Sequence, residues 1–209
     1  MNYKLSITPE ELEQLPMAAF PGHIHVIDKP GFAFQRAINY LKKQQVLGFD
    51  TETRPVFSAH QPRHGVALVQ LSGPDHAYLF RIQTLGMRKQ LCAILSDPNI
   101  VKIGAACHDD VRGLQRMAPF AERTYIDLQK EVWKWGIKDK AVKKMAGIIL
   151  GVRISKTQQL SNWEADTLSE AQQKYAATDA WVCREMWLKL QDSPQNPLEF
   201  DEQGNIKER

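Results

Sequence analysis

The 209-residue chain holds only three cysteines, and no two of them form a C-x-x-C pair. Cys92, Cys107 and Cys183 are too sparse and too widely spaced for a disulfide framework. An odd set of this kind fits a reducing, cytoplasmic setting. Long hydrophobic runs are also missing. None approaches the roughly 18 residues that a membrane helix needs, so no membrane partner is expected. Met1-Asn2-Tyr3-Lys4 leads into polar and acidic residues, a start without the features of a signal peptide. There is no internal repeat, and no low-complexity tract apart from a polar tail. Charge of one sign is not in large excess. A net charge of +3 and a pI of about 8.7 permit a polyanionic partner without requiring one. What is present is ordinary for a soluble globular protein, with 43% hydrophobic and 24% charged residues and enough length for one domain with a core.

Thr8-Pro9-Glu10-Glu11 combines an N-cap, a first-turn proline and acids near the positive end of a helix dipole. The short helix it opens should stop near Pro16. Residues 23–28 read as a strand and 32–44 as a helix, with apolar positions at Phe34, Ala37, Ile38 and Leu41. Residues 46–52, 66–72 and 76–80 read as a three-strand antiparallel meander, turned once at Gly73-Pro74-Asp75. A helix over 88–95, a strand over 100–104, a helix over about 109–117 and a short strand over 124–127 follow. Helices are expected over 128–135, over 141–150 with Gly151 closing it, and over 169–190 with Ser169 as N-cap. From Asp192 onward, two prolines and many charges predict a disordered tail over 192–209. The pattern predicts an α/β domain with a mixed central sheet over 22–191, preceded by an extension over 1–21.

Acids stand in three separated places, each beside an apolar segment. They are Asp50 and Glu52 in Phe49-Asp50-Thr51-Glu52-Thr53, Asp110 in Cys107-His108-Asp109-Asp110-Val111, and Asp179 in Tyr175-Ala176-Ala177-Thr178-Asp179. Two positions apart on a strand, Asp50 and Glu52 share one face at its C-terminal end, where open α/β sheets form sites. Alone, they also fit a solvated strand end. Tyr175 and Asp179, four apart, share one face of a helix. Alone, they also fit an amphipathic helix with a half-buried tyrosine. Asp110 opens a helix after a strand, where an Asp is often just a cap. Asp109 competes for that place, and Leu114, one turn later, favours Asp110 as the inward-facing acid. Carboxylates gathered by a fold repel one another and lose hydration, so they persist around a cation. Oxygen donors without a Cys or His cluster point to Mg²⁺ or Mn²⁺, and to metal-assisted phosphodiester hydrolysis.

Jointly these segments resemble the DEDD superfamily of 3′–5′ exonucleases, tyrosine subclass, over about residues 23–190. Gly48-Phe49-Asp50-Thr51-Glu52-Thr53 is similar to the first motif, and Val66-Ala67-Leu68-Val69-Gln70-Leu71 to the second strand. Lys102-Ile103-Gly104 through Asp110-x-x-x-Leu114 resembles the second motif. Leu160-Ser161-Asn162-Trp163, Leu168-Ser169-Glu170-x-Gln172 and Tyr175-Ala176-Ala177-Thr178-Asp179-Ala180 resemble the third. That block is most similar to the Werner-helicase exonuclease domain, with ribonuclease D next. Neither helicase segments nor the helical RNA-binding domains of ribonuclease D are seen, so a free-standing exonuclease domain is expected.

The resemblance implies a ribonuclease H-like fold and two divalent ions. Asp50 would bridge both, Glu52 and Asp179 would complete the water-side ion, and Asp110 would hold the second through water. Tyr175 would orient the attacking water, since a phenol with a pKa near 10 is a poor base at neutral pH. Glu52, with the backbone of the first motif at Thr51, would read the terminal 3′-hydroxyl. The partner would be nucleic acid, DNA or RNA, at single-stranded 3′ ends or frayed duplex, and the product a nucleoside 5′-monophosphate.

Other residues carry weaker signals. Lys130, Lys134, Lys138, Lys140, Lys143 and Lys144 surround Trp133 and Trp135. This interleaving suits single-strand guidance, or a solvated face over core tryptophans, the latter favoured for the two rings. Arg63, between His60 and His64, and Lys156 are candidate phosphate contacts, and His108 is a candidate substrate contact. Trp163 reads as a packing anchor. Two further functions stay open at this point: a nucleic-acid-binding module that has lost catalysis, and a phosphodiesterase acting on short oligonucleotides.

Overall fold

The computed structural model describes residues 2–58, 64–201, 203 and 206. Its strands are β1 (His23–Ile27), β2 (Val46–Thr53), β3 (Val66–Ser72), β4 (His76–Arg81), β5 (Val101–Gly104) and β6 (Tyr125–Asp127). They form one sheet in the order β1-β4-β3-β2-β5-β6. The β2, β3 and β4 strands make the expected antiparallel meander, while β1, β5 and β6 join in parallel.

Helices cover both faces. On one side lie α2 (Phe32–Leu41), α4 (Lys89–Ser96) and α5 (Cys107–Gln115). Their buried Ile38, Leu41, Leu91, Leu95 and Leu114 pack on Phe49, Val69, Leu71 and Phe80 of the sheet. On the other side lie α7 (Val142–Leu150) and α8 (Glu170–Gln191). There Met145, Ala146 and Met186 pack with Ile103, and Ala176 and Ala177 with Leu68 and Leu79. Strands buried on both faces read as near-continuous apolar runs, which is why 66–72 is legible as a strand but not as alternating. Truncating one of these core side chains to alanine should cost about 2–5 kcal/mol.

The short α1 (Pro9–Glu13) begins with the expected cap, as Thr8 and Glu11 form a reciprocal capping box. Ser169 and Gln172 form a second one at the start of α8. Gly151 ends α7 in the left-handed conformation at φ 68°. Residues 1–21 are stitched to the domain. The Phe20 N–H donates to Thr178 Oγ1 on α8, and Ile7, Leu12 and Phe20 are buried.

Three local expectations are corrected, and one element is additional. The helix carrying Asp110 begins two residues earlier, at Cys107, because its entry is fixed by long-range contacts described below. A short helix, α3 (Ile82–Leu85), follows β4 directly. The segment expected as one helix over 128–135 splits into α6 (Leu128–Glu131) and a 3₁₀ turn over Val132–Trp135 that ends at left-handed Gly136. The tail is not wholly free. Trp135 Nε1 donates to Ser193 O, and the N–H groups of Asn196 and Leu198 donate to Lys134 O and Trp133 O. The bond to Lys134 O uses a carbonyl near the end of the 3₁₀ turn, and together the three bind residues 193–198 to that turn.

Candidate active site

The position of the acids follows from β2. Its parallel pairing with β5 ends at Gly48↔Ile103, while its antiparallel pairing with β3 continues to Thr53↔Val66. Residues 50–53 therefore project past the end of β5 and leave one side of the strand open. Asp50 and Glu52 sit there on one face of the sheet, the face covered by α8.

Gly48 brings α8 down onto that face. A Cβ at Gly48 would overlap the carbonyl oxygen of Ala180, so the helix backbone rests directly on the strand. Asp179, the residue before Ala180, is thereby carried over Asp50. The carboxylate oxygens of Asp50, Glu52 and Asp179 lie within 4.8 Å of one another. Tyr175, one turn earlier on the same helix face, brings its phenol close enough to Asp179 for each to shift the other's ionisation. The Tyr175 ring is buried against Trp163, with ring centroids 6.0 Å apart, so Trp163 is the anchor that the sequence suggests.

Asp110 arrives from the other side. Between β5 and α5 the chain turns through Ala106, which takes the left-handed conformation at φ 58°. That conformation costs an alanine about 1 kcal/mol, and it is held from outside. The Ala106 N–H donates to Asp127 Oδ1 at the end of β6, at 2.9 Å, and the same oxygen caps α6 by accepting from the Gln129 N–H. The turn aims the first coil of α5 at β2. Thr51 Oγ1 donates to Asp110 Oδ1 at 2.5 Å, tying the first acidic motif to the second. Asp109, its competitor in sequence, faces solvent and pairs with Arg112.

The electrostatics of this cluster are unfavourable without a cation. Loss of hydration, and then the Asp179 and Asp110 charges, push Asp50 well above the usual carboxylate range. Loss of hydration pushes Glu52 up in the same way, with Asp50, Asp179 and Asp110 adding to it. Asp110 rises from 3.8 to about 6, mainly through burial, although the Thr51 hydroxyl opposes the rise. Asp179 rises through burial, opposed by the Tyr175 hydroxyl and the Lys156 charge. The donors are all carboxylate oxygens, close enough to share an ion and repelling one another without it. That set fits a hard divalent cation. The cause of the Tyr175 shift is burial first, then the Asp179 and Glu52 charges, and it moves the phenol above its ordinary value.

The remaining candidates separate. Lys156 stands near enough to Asp179 to act on its charge. His108 is turned toward Glu122 rather than into the acid cluster, and lies beside Cys107 and Asp127. Thr51, whose backbone is the candidate substrate contact, commits its hydroxyl to Asp110. Arg63 and His60 lie outside the described residues. Among the lysines, Lys134 pairs with Glu131, Lys143 with Glu13 and Lys144 with Asp139. Trp135 is in the core at 2% exposure, whereas Trp133 is 40% exposed, so the core reading holds for only one of the pair. Sequence reasoning missed Glu164. Its carboxylate accepts from Arg54 Nη1 at 3.4 Å and pairs with His64 Nδ1 at 2.9 Å, joining the two ends of the β2–β3 connection to the segment before α8. No spacing rule links residues 54, 64 and 164.

Comparison with known proteins now bears on this geometry. The family described as 3′–5′ exonuclease matches residues 26–194. The chain belongs to the 3′–5′ exonuclease family. The exonuclease domain is 32% identical over 158 residues to Exonuclease 3′-5′ domain-containing protein 2 of Drosophila melanogaster, covering 73% of this chain and 26% of that protein. It is 28% identical over 188 residues to the bifunctional 3′–5′ exonuclease/ATP-dependent helicase WRN of Mus musculus, covering 85% of this chain and 13% of the relative. The match thus spans 26% of the first relative's length and 13% of the second's. Among solved structures, the Trypanosoma brucei RNase D complex with RNA U12 superimposes with a TM-score of 0.73 at 19% identity, covering 86% of this chain and 66% of the other. The fold of the exonuclease domain is that of the ribonuclease D-like, ribonuclease H-like group.

Proposed function

We propose that the chain is a metal-dependent 3′–5′ exonuclease that removes nucleoside 5′-monophosphates from the 3′ end of single-stranded or frayed nucleic acid. The observation that carries this reading is the convergence of Asp50, Glu52 and Asp179 within 4.8 Å, with Tyr175 one helical turn before Asp179 and close enough to act on its charge. Two divalent cations, Mg²⁺ or Mn²⁺, held by Asp50, Glu52, Asp179 and Asp110, would supply charge neutralisation at the scissile phosphate and raise the acidity of the attacking water.

The chain's own residues do the rest. Asp50 lies next to Glu52 and Asp179 and also feels the Asp110 charge, so it is placed to serve both halves of the site. Asp110 is held against β2 by Thr51, which fixes the distance between the halves. Tyr175 keeps its proton at neutral pH because its pKa lies above an already high ordinary value. It therefore orients water through its hydroxyl and does not remove a proton. Lys156 is placed to meet a phosphate on the Asp179 side. Substrate is DNA, RNA or both, because nothing in the site commits a contact to a 2′-hydroxyl.

The product tests this reading. A 3′-terminally labelled oligonucleotide incubated with Mg²⁺ or Mn²⁺ should release labelled nucleoside 5′-monophosphate, and EDTA should stop it. Release of a nucleoside 3′-monophosphate, or release undiminished by EDTA, would contradict it.

A further inference from the structure

We infer that Gln70 is a positioning residue that holds the Asp50 carboxylate in the orientation needed for cation binding. The inference rests on the reading of the acid cluster given above. Gln70 lies in the middle of β3 and is 0% exposed. Neither its Nε2 nor its Oε1 has a hydrogen-bond partner, so two of the four orphaned buried side-chain atoms among the described residues belong to this one amide. Each buried orphan destabilises the fold, because a polar atom stripped of water finds no partner. A methionine would fill similar space without that penalty, and the neighbours on this face, Leu68, Leu79 and Ala176, ask for nothing polar. Packing alone does not explain the amide.

Its place in the sheet does. Gln70 is the cross-strand partner of Asp50 on β2 and of Leu79 on β4. Directly opposed residues of an antiparallel pair share a face, with Cβ atoms about 4.5–5.5 Å apart. This is the face on which Gly48 meets α8, so the buried amide and the half-buried carboxyl share the surface that the helix covers. The ionisable group beside the amide is therefore Asp50.

An Asp50 carboxylate that gave one oxygen to a cation would keep its other oxygen free to accept from the neighbouring amide. The Gln70 Nε2–H donates to the other, and the orphan donor is satisfied. The metal-free penalty and the loaded-state bond belong to one device. Partners of this kind fix the orientation of a ligating carboxylate, and their loss commonly weakens metal binding about 10–100-fold.

The test is Mn²⁺ affinity, measured by titration calorimetry, together with metal-free thermal stability, for wild type, Gln70→Met and Asp50→Asn. For Gln70→Met the expected result is a Kd raised about 10–100-fold with a metal-free Tm equal to or above wild type. A purely structural amide would lower Tm and leave Kd unchanged, and that result would overturn the inference. Gln70→Leu, which is smaller and cannot overpack, provides the same readout independently of how the methionine settles. Wild-type binding that Asp50→Asn abolishes but neither Gln70 variant alters sinks the Gln70 inference and leaves the acid cluster standing. Absence of Asp50-dependent Mn²⁺ binding in the wild type sinks both.

Discussion

Replacing Asp110 by asparagine should stabilise the metal-free protein while crippling its activity. The Asp110 carboxyl rises from 3.8 to about 6 in the folded chain. A group whose folded pKa is raised favours the folded state below its unfolded pKa, and that contribution is lost as pH rises through the folded value. At roughly 1.4 kcal/mol per unit, the shift corresponds to about 3 kcal/mol of destabilisation once the group is ionised in both states. Asp110 keeps partial contact with water, so about 1.5–3 kcal/mol is the range to expect. Asparagine keeps an oxygen for the Thr51 hydroxyl and removes the charge. For a domain of this size, about 2–4 °C per kcal/mol gives a Tm gain of about 3–12 °C above pH 7 in EDTA. The gain should be about half as large near pH 5 and vanish below pH 4. Differential scanning calorimetry of both proteins across that range reads it directly. Saturating Mn²⁺ should narrow or reverse the gap, because the wild type binds it and the variant binds it less. A variant no more stable than wild type at pH 8 in EDTA, or a gain independent of pH, would refute the electrostatic reasoning.

Tyr175→Phe should lower turnover about 100-fold through a misplaced water and leave the Mn²⁺ Kd within a few-fold of wild type. Asp50→Asn should lose both, and equal metal loss in the two variants would contradict the division of roles. Gly48→Ala should cost about 1–3 kcal/mol in urea unfolding and weaken Mn²⁺ binding as well, since the obstacle is the α8 backbone at Ala180 and the helix must lift Asp179 away. Gly65→Ala, where an added Cβ meets nothing within 4 Å, is the matched control and should change stability by less than about 0.5 kcal/mol. The Tm increment from saturating Mn²⁺ should be larger at pH 8 than at pH 5.5, because raised carboxyl pKa values make protons compete with the cation at the lower pH. A pH-independent increment would count against cation binding at these acids.

Period-2 spacing made Asp50 and Glu52 legible in sequence as a pair on one face, and period-3.6 spacing did the same for Tyr175 and Asp179. The capping boxes at Thr8 and Ser169 announced two helix starts because their signals are local. The entry into α5 was not legible. Its first turn is held by Ala106 in a left-handed conformation, with no capping side chain of its own, and by Asp127, which lies 21 residues away. That long-range bond is also what selects Asp110 over Asp109, a choice that Leu114 only hinted at. The break at Val132 exposes Trp133 and buries Trp135, which composition alone could not separate. Gly48 and Gln70 stood within recognised motifs, yet their roles depend on what crosses them: α8 over one, Asp50 beside the other. The ties of Glu164 to Arg54 and His64 span about a hundred residues and have no sequence signature.

The most direct test of the central claim is digestion of 5′-labelled single-stranded DNA and RNA by the purified protein, with Mg²⁺, Mn²⁺ or EDTA, beside Asp50→Asn. The account predicts a ladder that shortens stepwise from the 3′ end, depends on added metal and is lost in the variant, with the two polymers compared for sugar preference. An intact, folded protein that leaves both polymers at full length, or one whose ladder persists in Asp50→Asn, would contradict it.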